Sequence, residues 1–323
     1  MRILVTGGAG YLGGVVADRL LQQGHEVSVL DNLSKGKRQS VPTGASFILA
    51  DTGDEATLEL VFREGHFDAV MHFAAFIEAG ESMLLPEIYF HNNSAKTLTV
   101  LTMVLKHRVQ RFVFSSTAAV YGEPQAVPIP EDHPLRPTNP YGESKLFVER
   151  MMAWFHQVHG LRYASLRYFN AAGALEDRGE NHNPETHLIP RVCNAALCRQ
   201  EAIAIYGTDY PTRDGTCIRD YIHVIDLAAA HILALDALAE NSQIICNLGS
   251  GNGFTVREIV EVVRKITGKE IPAIERPRRP GDAAVLIASS EKAEQVLGWK
   301  PQHSDIETIV GSAWRWHSRN AGS

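Results

Sequence analysis

The sequence predicts an α/β protein that combines a Rossmann-type, doubly wound parallel sheet with a second, smaller α/β lobe. Three observations predict this fold. Short, continuously apolar runs alternate with helical patterns over the first ~170 residues. A glycine-rich turn separates the first apolar run from the first helical pattern. Beyond that region the alternation loosens, which indicates a different architecture for the rest of the chain.

The first domain is expected over residues 1–170. Its strands are expected at Ile3–Thr6, Val27–Asp31, Ser46–Asp51, Ala69–Phe73, Arg111–Ser116 and Tyr163–Tyr168. Runs without alternation are typical of strands buried on both faces, and intervening helices imply right-handed βαβ crossovers. A run near residues 243–248 predicts a later strand that returns to this sheet. Residues 171–323 are expected to form mainly the second, substrate-binding lobe, with a cleft between the two lobes.

Composition narrows the possible partners. The 323 residues include 31 Lys and Arg against 37 Asp and Glu, a formal charge of −6, so no basic face for nucleic acid or an anionic membrane is expected.

The 4 cysteines lack zinc-site spacing and are expected to be reduced. His182, His187 and His223 show no ligand spacing, so no metal is expected. The first apolar run is too short for a secretory or membrane segment, and we expect a cytoplasmic protein.

The glycine-rich turn indicates a dinucleotide site. Gly7, Gly8, Gly10 and Gly13 follow the first strand and open a helix, so backbone N–H groups can face a pyrophosphate. Asp31 ends the second strand, where its carboxylate can bind the adenosine ribose and would repel a 2′-phosphate. NAD is therefore expected rather than NADP. The alternative is a plain strand-to-helix turn with a surface aspartate.

Asp51 ends the third predicted strand. It could contact the adenine, and a role as a simple cap at the strand end is equally consistent with the residue preferences of turns.

A second group of residues indicates acid–base chemistry. Tyr141 and Lys145 lie four residues apart, on one face of a predicted helix. A phenol with a pKa of ~10 needs its pKa lowered to act as a base, and Lys145 together with a cationic nicotinamide could lower it. Thr117 ends an apolar strand, where open α/β sheets place ligands, and its hydroxyl can hold a substrate hydroxyl beside Tyr141.

Together these residues resemble the extended short-chain dehydrogenase/reductase family, in which a Ser or Thr, a Tyr and a Lys act over a bound dinucleotide. The resemblance covers nearly the whole chain. The segment 115–122, Ser-Ser-Thr-Ala-Ala-Val-Tyr-Gly, is similar to that of the UDP-glucose (UDP-galactose) 4-epimerases of this family. Dehydratases of the family carry acidic residues directly after the Thr, where this chain has Ala118 and Ala119. The missing carboxylates argue against elimination of water.

Further stretches share the resemblance, among them Arg167-Tyr168-Phe169-Asn170 and Arg219-Asp220-Tyr221-Ile222-His223. The resemblance implies NAD contacts from Gly7, Gly10, Tyr11, Leu12, Asp31, Asn32, Asp51, Phe73, Ala74, Ala75, Asn93, Tyr141, Lys145 and Tyr168. It implies UDP-sugar contacts from Thr117, Asn170, His187, Leu188, Ala204, Tyr206, Arg219, Arg279 and Asp282. Within this set it assigns the diphosphate to Asn170, Arg219 and Arg279, and the uridine ribose to Asp282.

The implied activity is interconversion of UDP-glucose and UDP-galactose by oxidation at C4, rotation of the 4-keto sugar and re-reduction. Two alternatives stay open, a 4-epimerase for another UDP-sugar (an N-acetylhexosamine, pentose or uronate) and a non-catalytic NAD-sensing protein. Leu286 lies where the family varies residue size to admit or exclude an N-acetyl group, and its intermediate size does not decide. Ile77 replaces a lysine or another polar residue of some members, so any contact from such a head group is lost.

Two predicted helices, Ser94–Lys106 and Leu146–Val158, are apolar over much of their circumference. A helix with one face exposed to solvent usually shows a narrower apolar stripe, so a partner is expected to cover these two helices. The resemblance implies that they pair into a four-helix interface in a homodimer. The alternative is that the smaller lobe covers them.

Overall fold

The computed structural model describes residues 1–320. Seven parallel strands form the large sheet, in the order β10-β6-β5-β4-β1-β2-β3. They are β1 (Arg2–Thr6), β2 (Glu26–Asp31), β3 (Ser46–Leu49), β4 (Ala69–His72), β5 (Arg111–Thr117), β6 (Arg162–Tyr168) and β10 (Gln243–Leu248). The strand order reverses between β1 and β4, and open sheets of this kind bind ligands beyond the carboxyl ends of the strands at that point.

Helices cover both faces of this sheet, which confirms the doubly wound α/β fold. On one face lie α1 (Tyr11–Gln22) and α8 (Val224–Ala237), whose apolar residues pack on β1, β2, β5 and β6. On the other face lie α2 (Glu55–Gly65), α5 (Lys96–Lys106) and α6 (Pro140–His159). Two short helices, α3 (Ala79–Ser82) and α4 (Pro86–Tyr89), and a π-helical turn at Phe90–Ala95 precede α5.

Two predicted boundaries differ from the structure for local reasons. The strand expected over Ser46–Asp51 ends at Leu49, because the Asp51 carboxylate accepts a hydrogen bond from the Gly53 backbone N–H and starts a turn. The helix expected over Ser94–Lys106 begins as an α-helix at Lys96, since the preceding residues form the π-helical turn.

The second lobe has its own small sheets and core. One sheet contains β7 (Asn170–Ala172), β9 (Ile218–His223), β11 (Gly253–Thr255) and β13 (Val285–Leu286), and a two-stranded sheet pairs β8 (Ile203–Tyr206) with β12 (Ala273–Arg276). The helices α7 (Leu188–Ala196), α9 (Val256–Thr267) and α11 (Ile306–Arg319) pack together around an apolar cluster. A further helix, α10 (Glu291–Leu297), contacts β10 and α8.

The start of α6 is fixed by its first residues. Pro140 occupies the first turn, and the Asn139 side chain caps the helix by accepting a hydrogen bond from the Gly142 N–H at 2.8 Å. A Cβ on Gly142 would lie 2.6 Å from the Ala119 carbonyl oxygen, so only glycine allows this helix end to approach the turn after β5. The close packing brings Tyr141 next to the end of β5.

Among residues 1–320, no helix combines the length and apolar character needed to cross a membrane. The four cysteines are free thiols.

Candidate active site

A cleft of about 630 Å³ runs along the carboxyl ends of the central strands and separates them from the second lobe. We call its two walls the sheet side, formed by α1 and the segments that follow β1, β2, β4 and β5, and the lobe side, formed by the second lobe. The sequence-predicted residues that line this cleft are Gly7, Gly10, Tyr11, Leu12, Asp31, Asn32, Phe73, Ala74, Ala75, Thr117, Tyr141, Lys145, Tyr168, Asn170, His187, Leu188, Arg219 and Asp282.

The glycine turn on the sheet side is built by close backbone contacts. Gly7 has a φ of +73°, and a Cβ there would lie 2.5 Å from the backbone nitrogen of Ala74. A Cβ on Gly13 would lie 2.4 Å from the carbonyl oxygen of Gly7. The first turn of α1 therefore meets the cleft with its N–H groups unobstructed, which suits an anionic pyrophosphate.

Asp31 has a structural role besides facing the cleft. Its carboxylate accepts hydrogen bonds from the backbone N–H groups of Ala9, at 3.0 Å, and Leu33, at 2.8 Å. Burial raises the pKa of Asp31, and these two hydrogen bonds partly offset that rise. The same side chain thus orders the glycine turn and presents a carboxylate at the edge of the cleft, where it can meet ribose hydroxyls.

Two residues predicted to contact the cofactor lie behind the wall of the cleft. Asp51 forms an ion pair with Lys96 at 2.7 Å and also binds Asn32 and the Gly53 N–H. Asn93 is buried, accepts a hydrogen bond from the Phe76 N–H and donates to the Phe76 carbonyl oxygen. Asn93 therefore holds the loop after β4 in place.

The hydroxyl and amine groups of the acid–base set converge where the two walls meet. Thr117 is the last residue of β5, and its Oγ1 accepts a hydrogen bond from the Ala119 N–H at 3.1 Å. Burial raises the pKa of Tyr141 to about 12, although a hydrogen bond to Thr117 pulls it downward. Lys145 donates to the Ser115 carbonyl oxygen at 2.9 Å, and burial lowers its pKa to about 7. In the chain by itself, burial therefore outweighs the effect that the sequence analysis expected from Lys145.

The lobe side presents polar groups from β9, from the loop before β13 and from the loop before α7. Arg219 lies 3.7 Å from Asp282, and both face the cleft. Arg279 lies outside the cleft wall, 3.0 Å from Asp282, with its guanidinium over the Tyr206 ring. Ala204 and Tyr206, both in β8, also lie outside it.

Comparison with known proteins agrees with this arrangement. The model of the NAD dependent epimerase/dehydratase family matches residues 3–249. The chain belongs to this family. It is 54% identical over 318 residues to the UDP-glucose 4-epimerase of Streptomyces lividans, with 98% of this chain and 96% of that protein covered.

Two solved structures are similar over almost their whole length. The UDP-glucose 4-epimerase from Bifidobacterium longum in complex with NAD+ and UDP has a TM-score of 0.96 at 38% identity, with 99% of both chains covered. That from Brucella ovis in complex with NAD has a TM-score of 0.93 at 44% identity, with 97% of both chains covered.

Within this epimerase/dehydratase family member, the cleft also contains charged groups that the sequence analysis missed. Glu78, Glu180 and His182 line it together with His187. Burial alone would lower the pKa of His187, but the adjacent Glu180 carboxylate outweighs it and raises the pKa to about 9. The only signal in the sequence was the regular spacing of two Glu-x-His pairs in residues 180–187.

Proposed function

We propose that the protein interconverts UDP-glucose and UDP-galactose, using bound NAD to oxidise C4, allowing the 4-keto sugar to rotate and reducing it again. The observation that carries the proposal is the position of Tyr141, which lies with Thr117 and Lys145 where the sheet side and the lobe side of one cleft meet. Full-length relatives at about half identity carry the name UDP-glucose 4-epimerase, which supports the same activity here.

The sheet side would hold NAD. The first turn of α1 and Gly7 would receive the pyrophosphate, and Asp31 the adenosine ribose. Phe73, Ala74 and Ala75 would form the wall beside the nicotinamide. Under this proposal residues 1–170, with the strand Gln243–Leu248, form the NAD-binding part, and residues 171–323 form mainly the part that binds the UDP-sugar.

Tyr141 would carry the proton of the reaction. NAD, when bound, supplies the hydride acceptor and donor at C4 and a positive charge that favours the phenolate form of Tyr141. The Tyr141 oxygen takes the proton from the sugar O4 as C4 is oxidised and returns it when C4 is reduced. Thr117 is hydrogen-bonded to the Tyr141 hydroxyl, and Lys145, whose amine donates to the Ser115 carbonyl oxygen, lines the same cleft.

The lobe side would anchor the UDP group and leave the sugar ring free. Arg219 and Asn170 line the cleft, and guanidinium groups suit bidentate contacts with phosphate. Arg279 is the proposed second phosphate ligand, and Asp282 the ligand of the uridine ribose. Strong contacts to the nucleotide, with few to the sugar, permit the keto sugar to turn without leaving.

A different UDP-sugar is the second candidate. Leu286 lines the cleft and is partly buried, so the size of this side chain would limit a substituent on the sugar. Comparison of turnover with UDP-galactose and UDP-N-acetylgalactosamine separates the two candidates. A protein that only senses NAD would not need a buried phenol beside Thr117, so this arrangement supports a catalytic role over a sensing role.

The activity is tested with purified protein and UDP-galactose, without added reductant. UDP-glucose should appear while released small molecules, measured by mass spectrometry, include NAD. Tyr141→Phe should reduce turnover by about 10³-fold, within the range for loss of a general acid–base, and still bind UDP. Tyr210→Phe is the matched control, because the Tyr210 hydroxyl is buried without a hydrogen-bond partner among the described residues. The proposal fails if wild-type protein with bound NAD forms no UDP-glucose.

We further propose a homodimer formed through α5 and α6. Leu98, Phe147, Trp154 and Val158 are exposed on these helices, at 43%, 45%, 62% and 64%, so the second lobe does not cover them. Exposed apolar side chains at adjacent positions favour a protein interface. Trp154→Glu should convert the dimer to monomer in sedimentation velocity, whereas Leu49→Glu, at a 66% exposed leucine of the edge strand β3, should not. A monomeric wild type would contradict the proposal.

We place the activity in the cytoplasm, where the free thiols of Cys193, Cys198, Cys217 and Cys246 would stay reduced.

A further inference from the structure

Four potential metal ligands converge in the loop before α7. Glu180, His182, Glu185 and His187 each offer one ligand atom, and these four atoms lie within 4.8 Å of one another. Glu180, His182 and His187 also line the cleft on its lobe side. The proposed proton transfer uses none of the four, and the proposed nucleotide contacts use only His187.

The four side chains do not separate into two independent ion pairs. His182 Nδ1 lies 3.4 Å from Glu180 Oε1 and 3.9 Å from Glu185 Oε2. His187 Nδ1 contacts Glu180 Oε1 and lies 3.9 Å from Glu185 Oε1. Both carboxylates therefore face both imidazole nitrogens, as ligands around a common centre do.

Burial removes the Glu180 and His182 side chains from most contact with water, so their polar atoms need partners within the protein. The Glu180 side chain is only 4% exposed. His182 Nδ1 is buried and lies near both carboxylates, yet it makes no hydrogen bond of good geometry among the described residues. A buried polar nitrogen in this position retains the capacity to bind another group. The position of His182 Nδ1 toward the two carboxylates indicates that this other group lies between them.

Backbone contacts hold the cluster in place. Glu185 accepts hydrogen bonds from the backbone N–H of His182 at 3.2 Å and from that of His187 at 2.9 Å. The same loop is joined to the sheet side by Arg178, which donates to the Gly14 carbonyl oxygen at 3.1 Å. Outer contacts of this kind orient metal ligands in proteins.

We propose that Glu180, His182, Glu185 and His187 form a binding site for a divalent transition-metal ion, with Zn²⁺ the ion that fits best. Two imidazoles and two carboxylates are donors that zinc accepts in four-coordinate sites. Tetrahedral bonds of about 2.0–2.2 Å place neighbouring donors about 3.4 Å apart, and three of the donor separations are 3.4, 3.9 and 3.9 Å. Glu180 and His187, the remaining Glu–His pair, would separate to admit the ion, and all six donor pairs lie within 4.8 Å.

The charges and the location support the same conclusion. Binding of the ion would displace the protons of His182 and His187, and the two carboxylates with the two deprotonated imidazoles then carry a charge that one divalent cation neutralises. Because all four ligands lie within residues 180–187, the bound ion would hold this loop in its folded-back shape on the lobe side of the cleft. This inference stands apart from the proposed epimerase activity, since it concerns the ion content of the chain.

The test uses the full-length protein, stripped with a chelator and dialysed against Zn²⁺. Elemental analysis after gel filtration should give one zinc per chain. Titration calorimetry should show this site weakened by about 100-fold or more in His182→Ala and in Glu185→Gln, since even loss of an outer-shell contact can weaken metal binding 10–100-fold. Cobalt substitution should give the visible spectrum of a tetrahedral site.

Controls separate a built site from surface binding. His303 pairs with Asp226 at 2.9 Å in another part of the molecule, so His303→Ala should leave the zinc stoichiometry unchanged. Glu185→Asp, which keeps a carboxylate, should retain part of the affinity that Glu185→Gln loses. Circular dichroism of each metal-free variant identifies any that fails to fold, and His182→Gln then replaces His182→Ala. The inference is overturned if the wild type retains no zinc, or if the folded variants retain as much as the wild type.

Discussion

The two sides of the cleft are built in different ways. On the sheet side, backbone atoms touch one another: Gly7 against Ala74, and Gly13 against the Gly7 carbonyl group. On the lobe side, charged side chains such as Arg219 and Asp282 reach into the cleft from β9 and a loop. Backbone atoms that are already in contact leave no space for an added atom, whereas long side chains can adjust by changing their rotamers. The sheet side should therefore tolerate substitution poorly, and the lobe side should lose only the contact that is removed.

Gly7→Ala should have the largest effect. The new Cβ would lie 2.5 Å from the Ala74 nitrogen at a φ of +73°. Strain of roughly 3 kcal/mol or more at this point corresponds to about 100-fold weaker NAD binding. Fluorescence titration of the stripped protein with NAD measures the change.

Gly24→Ala is the control for the backbone conformation alone. Gly24 has a φ of +82°, but nothing lies within 4 Å of its added Cβ. This variant should lose a little stability and keep its NAD affinity. Equal NAD affinity in Gly7→Ala and wild type would refute the idea that backbone contacts determine the shape of the sheet side.

Arg219→Ala should weaken UDP binding by about 10–100-fold, the value of one charge-assisted hydrogen bond, while NAD binding stays unchanged. Titration calorimetry with UDP and with NAD measures both. Arg276→Ala is the matched control, because Arg276 is an exposed arginine of β12 outside the cleft. Simultaneous loss of NAD binding in Arg219→Ala would show that the two sides are not independent.

Leu286→Ala should shift substrate preference toward N-acetylated UDP-sugars by about 10-fold in kcat/KM, since removal of methyl groups from a pocket changes discrimination by ~1–3 kcal/mol. The side chain lines the cleft, so the space gained lies beside the bound sugar. Steady-state rates with UDP-galactose and UDP-N-acetylgalactosamine give the ratio. An unchanged ratio would remove Leu286 from the set of specificity residues.

Stability in mild acid also compares the two sides, through one buried histidine on each. Burial lowers the pKa of His72, on the sheet side, to about 3 and that of His223, in β9, to about 4. The unfolded chain takes up these protons near pH 6.5 and the folded chain does not, so stability falls as pH drops from about 6.5 toward 3–4. Between pH 7 and pH 5 each histidine should contribute a loss of about 2 kcal/mol.

Urea unfolding at both pH values measures this loss. His72→Gln and His223→Gln should each reduce the pH dependence, and His91→Gln, at an exposed position, should not. If the two histidines affected separate transitions, the two sides of the cleft would unfold as separate units.

Features that depend on short-range interactions could be predicted from the sequence, and features that depend on distant partners could not. The strands of the large sheet and the start of α6 depend on local apolar runs and on the capping residues Asn139 and Pro140, all visible in the sequence. The pattern of Gly7 and Gly13 was visible for the same reason. Asp51 and Asn93 could not be placed, because their partners Lys96 and Phe76 decide whether they face the cleft or lie behind it.

The sequence by itself determined the fold class, the glycine turn and the set of groups available for chemistry, because these follow from local periodicity, local capping and residue type. Only the tertiary structure decided how those groups behave. Burial sets the pKa of Tyr141 at about 12 and that of Lys145 at about 7, and neither value follows from the spacing of the two residues. The convergence of Glu180, His182, Glu185 and His187 likewise depends on how the loop at residues 180–187 folds back on itself, which the spacing of two Glu-x-His pairs does not specify. Desolvation and donor geometry arise from the packing of distant segments, and the order of residues alone does not specify them.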